Sequence, residues 1–331
     1  MDADDSTRSP AFESRLDLDP LRDAAEQIRD EVGTILVGQK RMVNLFLAAL
    51  LADGHVLIEG VPGVAKTLTA RLIARTLSVD FTRIQFTPDL MPSDVLGTSV
   101  FNPETTEFSF RHGPIFSNVV LIDEINRAPA KTQAALFEVM EERQVSADGQ
   151  TFSLDVPFVV FATQNPLEHE GTYELPEAQL DRFLFKVNVG YPSLEEEEQI
   201  LAGHHAGRGP ASIDEVEPVL SPGDLIDYRK QVRQVHVEAE LMNYIARLAQ
   251  RTRNHQALSL GASPRASVAM LNGAKAMAAL QGRDFISPDD VREVAPPVLR
   301  HRLLLTPEQE MEGRDVDEVI TRVVEQVEVP R

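Results

Sequence analysis

Between the apolar run Val56-Leu57-Ile58 and the helix-forming stretch Leu68-Thr69-Ala70-Arg71-Leu72-Ile73 stands the octet Gly60-Val61-Pro62-Gly63-Val64-Ala65-Lys66-Thr67. No other stretch of the chain restricts its fold as much. A buried strand, a Gly-rich turn and a helix start, in that order, make a phosphate-binding loop. Small residues let successive backbone N–H groups converge on phosphate oxygens, at a helix N-terminus whose dipole favours anions. Lys66 then reaches the outer phosphates of ATP, and the Thr67 hydroxyl is placed to ligate Mg²⁺. The candidate nucleotide-binding residues here are Gly60, Val61, Pro62, Gly63, Val64, Ala65, Lys66, Thr67 and Leu68. Ala65 departs from the general pattern, which has Gly before the lysine. A non-Gly residue in the left-handed region costs about 1–2 kcal/mol, so Ala65 is expected to be helical.

The length of 331 residues suggests two domains, at roughly 150 residues each. A hydrophobic content of 43% is ample for packed cores. There is no cysteine, hence no disulfide frame, which suits a reducing interior. The start Met1-Asp2-Ala3-Asp4-Asp5 is acidic and lacks the basic and apolar regions of a signal peptide. The longest apolar stretch, Leu45 to Ala52, is too short to span a bilayer. A soluble cytoplasmic protein without a transmembrane segment is expected. The net charge of −20 argues against a broadly basic nucleic-acid groove. An acidic, lysine-poor surface fits a salt-rich cytoplasm, and nucleotide bias explains the arginine preference equally well.

Residues 1–17 are polar and Pro-punctuated and read as a flexible tail. Asp19-Pro20 opens a helix with Leu21, Ala24, Ala25, Ile28 and Val32 on one face, and Val37-Gly38-Gln39 opens a second. Phe81 to Phe86, Val119 to Ile122, Phe158 to Thr163 and Phe183 to Val189 read as strands. Strands alternating with helices imply a parallel sheet covered on both faces. Two hairpins interrupt this pattern. One joins Ser99-Val100-Phe101 to Glu107-Phe108-Ser109-Phe110, and the other turns at Ala147-Asp148-Gly149-Gln150. The first reads either as a surface hairpin or as a substrate-facing insertion. From Ser193 onward the pattern is helical, with starts at Ser193, Ser221-Pro222, Val237 to Glu240, Ser263-Pro264 and Ser287-Pro288. The resulting division is a nucleotide-binding core over 18–192 and a helical lid over 193–331.

Asp123-Glu124 follows the apolar strand Val119-Val120-Leu121-Ile122, a Walker B pattern. Asp123 is expected to hold the Mg²⁺ shell and Glu124 to orient and polarise the attacking water. Asn165, at the tip of a neighbouring strand, either fixes that water near the γ-phosphate or serves only as Asn-Pro turn chemistry. His204-His205, at a helix end, has no second cluster at zinc spacing and receives no role.

Taken together, Gly60 to Thr67, Asp123-Glu124-Ile125-Asn126-Arg127-Ala128, Ala162-Thr163-Gln164-Asn165-Pro166, Glu177-Ala178-Gln179-Leu180-Asp181-Arg182-Phe183 and Gly261-Ala262-Ser263-Pro264-Arg265 resemble the MoxR family of AAA+ ATPases. Ala before the loop lysine is common there. The resemblance implies an α/β P-loop AAA+ core with a parallel sheet and helices on both faces, followed by a small all-α lid. It also implies a homo-oligomeric ring, usually a hexamer, with insertions before and after the Walker B strand. By motif, Asn165 corresponds to sensor 1, Arg182 to an arginine finger acting on the neighbouring subunit, and Arg265 to sensor 2, reporting lid position. Val37, Gly38 and Gln39 correspond to the segment near adenine. Arg127 faces the neighbour or pairs locally with Glu141 or Glu142, and Gln85 is positioned to hydrogen-bond Glu124 and hold it inactive.

The function this implies is ATP hydrolysis driving chaperone-like remodelling or maturation of a protein client, with a von Willebrand factor A domain protein as partner. The alternative is a magnesium-chelatase-like ATPase or a nucleic-acid motor. DNA motors need basic hairpin tips that touch phosphate, and Ser146-Ala147-Asp148-Gly149-Gln150 has none.

Overall fold

The structure, a computed structural model, describes residues 15–61, 63–104, 106–165, 173–206 and 210–330. Pro62, Thr105, Pro166 and residues 1–14 of the expected tail lie outside the described residues. Arg15 is attached: its backbone N–H donates to Asp284 Oδ2 at 2.5 Å.

Helix α1 (Asp19–Gly33) has Pro in its first turn, where a missing N–H costs nothing, and buries Leu21, Ala25, Ile28 and Val32. Helix α2 (Lys40–Leu51) starts three residues later than the sequence suggested. Gly38 and Gln39 have φ of 71° and 57°, so the chain turns through the left-handed region before helical geometry can begin. Then come β1 (His55–Gly60), α3 (Lys66–Thr76), β2 (Phe81–Gln85), the short α4 (Pro92–Leu96), and the hairpin β3 (Gly97–Asn102) and β4 (Glu107–His112). After these follow β5 (Val119–Asp123), α5 (Ala130–Glu142), the hairpin β6 (Gln144–Ala147) and β7 (Gln150–Ser153), β8 (Val159–Gln164), α6 (Glu177–Leu180) and β9 (Phe183–Val189). Both hairpins stand where the sequence placed them. The turn of the second has φ of 50° at Asp148 and 76° at Gly149, the paired positive angles that suit a two-residue hairpin loop.

The five parallel strands run in the order β2-β5-β8-β1-β9. Alternation along them divides the apolar residues between two buried clusters. Val56, Ile58, Leu121 and Phe161 face α1, α2 and α3, whereas Leu57, Val120, Ile122 and Ala162 face α5 through Leu136, Phe137 and Met140. Because every strand runs the same way, the ends of β1, β2, β5 and β8 share one edge, where parallel sheets bind ligands.

Beyond β9 lie α7 (Leu194–His205), α8 (Pro222–Gln234), α9 (Ala239–Arg253), β10 (Leu258–Leu260), α10 (Pro264–Leu280), α11 (Pro288–Leu299), β11 (Leu304–Leu305), α12 (Pro307–Met311) and α13 (Val316–Gln326). Ser193, Ser221, Ser263 and Ser287 cap α7, α8, α10 and α11 by accepting a backbone N–H, as their sequence positions foretold. One antiparallel pairing, β10 with β11, is added to this helical lid. Helix α10 reaches the sheet through Gly273, where a Cβ would lie 3.0 Å from the Phe185 ring. Met270, Met277 and Val294 consequently share one buried cluster with Val56 and Phe46. Among the described residues no helix is long and apolar enough to cross a membrane.

Candidate nucleotide-binding site

The loop from β1 to α3 follows Gly60, which pairs with Val189 of β9. Gly63 has φ 88° and Ala65 φ 59°, so both lie in the left-handed region. The expectation that Ala65 is helical is therefore corrected. The loop must turn its N–H groups inward at the residue before the lysine, and that geometry takes precedence over the cost of a methyl group at positive φ. Lys66 and Thr67 form the first turn of α3, with Lys66 Nζ donating to its own loop at Gly60 O (2.6 Å). Burial pushes the Lys66 ammonium below its ordinary range, while Asp123, Glu124 and Glu59 pull it back upward.

Asp123 is 7% exposed at the end of β5. Its Oδ2 accepts from Arg83 Nε at 2.5 Å, and its Oδ1 accepts from the Thr163 hydroxyl at 3.2 Å. The same hydroxyl oxygen receives the Glu124 backbone N–H at 3.0 Å, so Thr163 joins the two acidic positions. Glu124 itself has φ 58° and ψ 53°, a left-handed conformation for a non-Gly residue at the position proposed to activate water. Its Oε2 accepts from Gln85 Nε2 at 2.7 Å, as the sequence allowed, and lies 3.3 Å from Arg127 Nε. Arg127 thus pairs with Glu124, not with Glu141 or Glu142. Asn165, just beyond β8 and 9% exposed, lies at the sheet edge between the β5 and β1 ends.

Beside the loop a cavity of about 400 Å³ opens, within the range of small-ligand pockets. Val37, Gln39, Gly63, Val64, Ala65 and Leu68 line it from one side. Gly38 is packed against α7: a Cβ there would sit 2.5 Å from a Glu196 carboxylate oxygen, and Glu196 caps α7 together with Ser193. Helix α7 supplies the opposite wall through Gln199, Ile200, Gly203 and His204. His204 stands at the end of α7, as the sequence placed it, and there it also borders this cavity. Pro62 lies outside the described residues.

Arg182 and Arg265 do not line the cavity. Arg182 Nη1 donates to Phe137 O (2.8 Å) and lies 3.4 Å from Glu141 Oε2, while Arg265 Nη2 reaches both Glu141 oxygens at 2.7 and 2.5 Å. Sequence reading missed Arg83, Thr163, Ile35, Leu36 and the α7 wall. The i, i+2 spacing of Arg83 and Gln85 was a usable signal. It becomes informative only with the β2–β5 register, which sets Gln85 opposite Asp123.

Residues 55–185 match the family model for the ATPase family associated with various cellular activities (AAA), and residues 250–323 match the AAA lid domain. Fold and site thus define the class, a P-loop AAA+ ATPase domain followed by its lid. The chain belongs to the MoxR family of AAA+ ATPases. It is 47% identical to chaperone MoxR1 of Mycobacterium tuberculosis, over 91% of this chain and 81% of that protein. It is also 47% identical to YeaC of Bacillus subtilis, over 95% and 96% respectively, and 31% identical to MoxR of Methylorubrum extorquens, over 93% and 96%. A crystal structure of a Cytophaga hutchinsonii protein assigned as an ATPase superposes with a TM-score of 0.86 at 41% identity, covering 94% of this chain and 96% of that one.

Proposed function

We propose that the chain hydrolyses ATP within a ring of identical protomers and couples that cycle to remodelling or maturation of a protein client. One observation carries the reading: Lys66, Asp123 and Glu124 converge at the carboxyl edge of the sheet, directly beside a backbone loop shaped to cradle phosphate. Residues 18–192 act in this reading as the nucleotide-binding core and residues 193–331 as the lid.

Lys66 neutralises the outer phosphates, and Glu124 orients the attacking water and accepts its proton. Thr163 keeps Asp123 and Glu124 in fixed relation, and Asn165 stands beside them to position the water. The Thr67 hydroxyl and the Asp123 carboxylate are hard oxygen donors, few enough to leave most positions to phosphate and water, which fits Mg²⁺. Bound there, Mg²⁺ supplies charge neutralisation at the phosphates. Arg182 and Arg265, whose guanidinium groups pair with Glu141 and not with Asp123 or Glu124 of their own protomer, are assigned to the site of the neighbouring one.

A protein client suits the first hairpin. It exposes Phe101 and Phe108, 48% and 74% accessible, with ring centroids 5.2 Å apart. Such aromatic surface is suited to apolar segments of a protein. The acidic tip of the second hairpin disfavours phosphate contact. The Mycobacterium tuberculosis relative carries the name chaperone, in keeping with this reading. The hexameric ring and a von Willebrand factor A domain partner are proposed on family grounds.

Purified protein is expected to turn over ATP in a Mg²⁺-dependent assay. Lys66→Ala is expected to abolish nucleotide binding, and Glu124→Gln to bind ATP while losing on the order of 10²–10⁴ in kcat. Wild-type affinity in Lys66→Ala, or a near-normal kcat in Glu124→Gln, overturns the assignment.

A further inference from the structure

The Glu141 carboxylate, at the end of α5, receives two guanidinium groups from distant parts of the chain. Arg182 arrives from the turn between α6 and β9, and Arg265 from the first turn of α10. We propose that Glu141 is a positioning residue, holding Arg182 and Arg265 side by side so that both reach the neighbouring protomer's ATP as one unit. This rests on the reading above, in which those arginines act across the interface.

Two like charges stay close in water only with a counter-charge between them. Glu141 provides it, and does so economically. Its oxygens engage Nη2 of Arg265 and Nη1 of Arg182, and among the described residues the Nε and Nη1 groups of Arg265 have no protein partner. Those groups stay available to a phosphate. The side chains of Arg182, Glu141 and Arg265 are 30%, 39% and 48% accessible, so the cluster faces outward. At that exposure an ion pair adds little to folding stability. Its geometry is what distinguishes it.

The backbone beneath the two arginines is tied as well. Asp181, next to Arg182, accepts from the hydroxyl of Ser263, the N-cap of the helix carrying Arg265, at 3.1 Å. Its other oxygen accepts from Arg302 Nε at 2.6 Å, and Arg302 Nη2 donates to Asp181 O at 3.0 Å. Arg302 is 6% exposed and also donates to the Leu184 carbonyl. Core turn and lid helix therefore meet at one fixed node, and Glu141 sets the side chains on top of it.

The test is ATPase complementation between variants of the full chain. Glu141→Ala alone is expected to lose on the order of tenfold in kcat with ATP affinity unchanged. Mixed with Lys66→Ala it is expected to regain activity, because the Lys66→Ala protomer donates an intact Glu141–Arg182–Arg265 cluster to an intact phosphate loop. A residue with a merely structural role, or one serving its own loop, gives no such recovery. Glu141→Gln keeps the shape and an acceptor without the charge, and is expected to show a smaller kcat loss. It decides the matter if Glu141→Ala does not fold. Wild-type kcat in both variants, or no recovery in the mixture, overturns the proposal. The mixture of Arg182→Ala with Lys66→Ala separates the two levels. If that pair fails to recover, the across-interface reading falls. If it recovers while the Glu141 mixture does not, only the role of Glu141 falls.

Discussion

Gln85 Nε2 donates to Glu124 Oε2 across 2.7 Å, joining the ends of two adjacent parallel strands. Through this bond β2 holds the side chain proposed to activate water. The same oxygen lies 3.3 Å from Arg127 Nε, so Glu124 is restrained from two sides before it can turn toward a phosphate. Removing the amide is expected to free it. Gln85→Ala should raise basal ATP turnover on the order of two- to fivefold, with binding unchanged. Steady-state kinetics without client checks this, and an equal or lower kcat assigns the hydrogen bond to productive positioning instead.

Ala65 occupies φ 59° and ψ 22° immediately before Lys66. Glycine adopts that conformation without the methyl clash, though it gains freedom in the unfolded chain. The two effects oppose each other, and strain relief is the larger. Ala65→Gly is expected to stabilise the protein by about 0.5–1 kcal/mol while preserving ATP binding. Ala65→Val, with a branched Cβ at positive φ, is expected to destabilise it and weaken ATP binding. Urea unfolding and nucleotide titration read both.

His55 is the buried first residue of β1. Its Nδ1 accepts from Val160 N–H at 2.9 Å, and its Nε2 meets Met140 O at 3.1 Å. Burial, aided by nearby Arg143, lowers its pKa from 6.5 to about 3. The folded chain therefore keeps this ring neutral, while the unfolded chain takes up a proton below 6.5. Its contribution to stability is complete above that value and is lost as pH falls toward 3. Between pH 7 and 5 the loss is about 2 kcal/mol. His55→Gln, which keeps a donor and an acceptor but cannot titrate, is expected to shed that part of the acid sensitivity in denaturant unfolding at the two pH values. An unchanged pH dependence contradicts the assignment.

What the sequence made legible follows from how local each signal is. The phosphate loop, the Asp123-Glu124 strand end and the Ser-capped helices are each encoded within a few residues, and the structure has them in place. The Ala65 geometry was misread because the local rule against positive φ was applied where the loop demands it. Thr163 gave no local signal and the Arg83–Gln85 spacing gave one only in outline, because both roles depend on which strand lies beside β5, a long-range fact. The α7 wall of the cavity, with Ile200 and His204, depends on how the lid folds back, and no short pattern carries that. The shared carboxylate of Glu141 joins residues 41 and 124 positions away.

The central claim is that each ATP site is built from two protomers, Lys66 and Glu124 from one and Arg182 from the next. Its most direct measurement mixes Arg182→Ala, which keeps its loop, with Lys66→Ala, which keeps its arginine, and follows ATP hydrolysis across mixing ratios. Each variant alone is expected to be nearly inactive and the mixture to recover activity, greatest near equal proportions. No recovery at any ratio, with assembly of mixed rings verified by sedimentation, contradicts a site shared between neighbours.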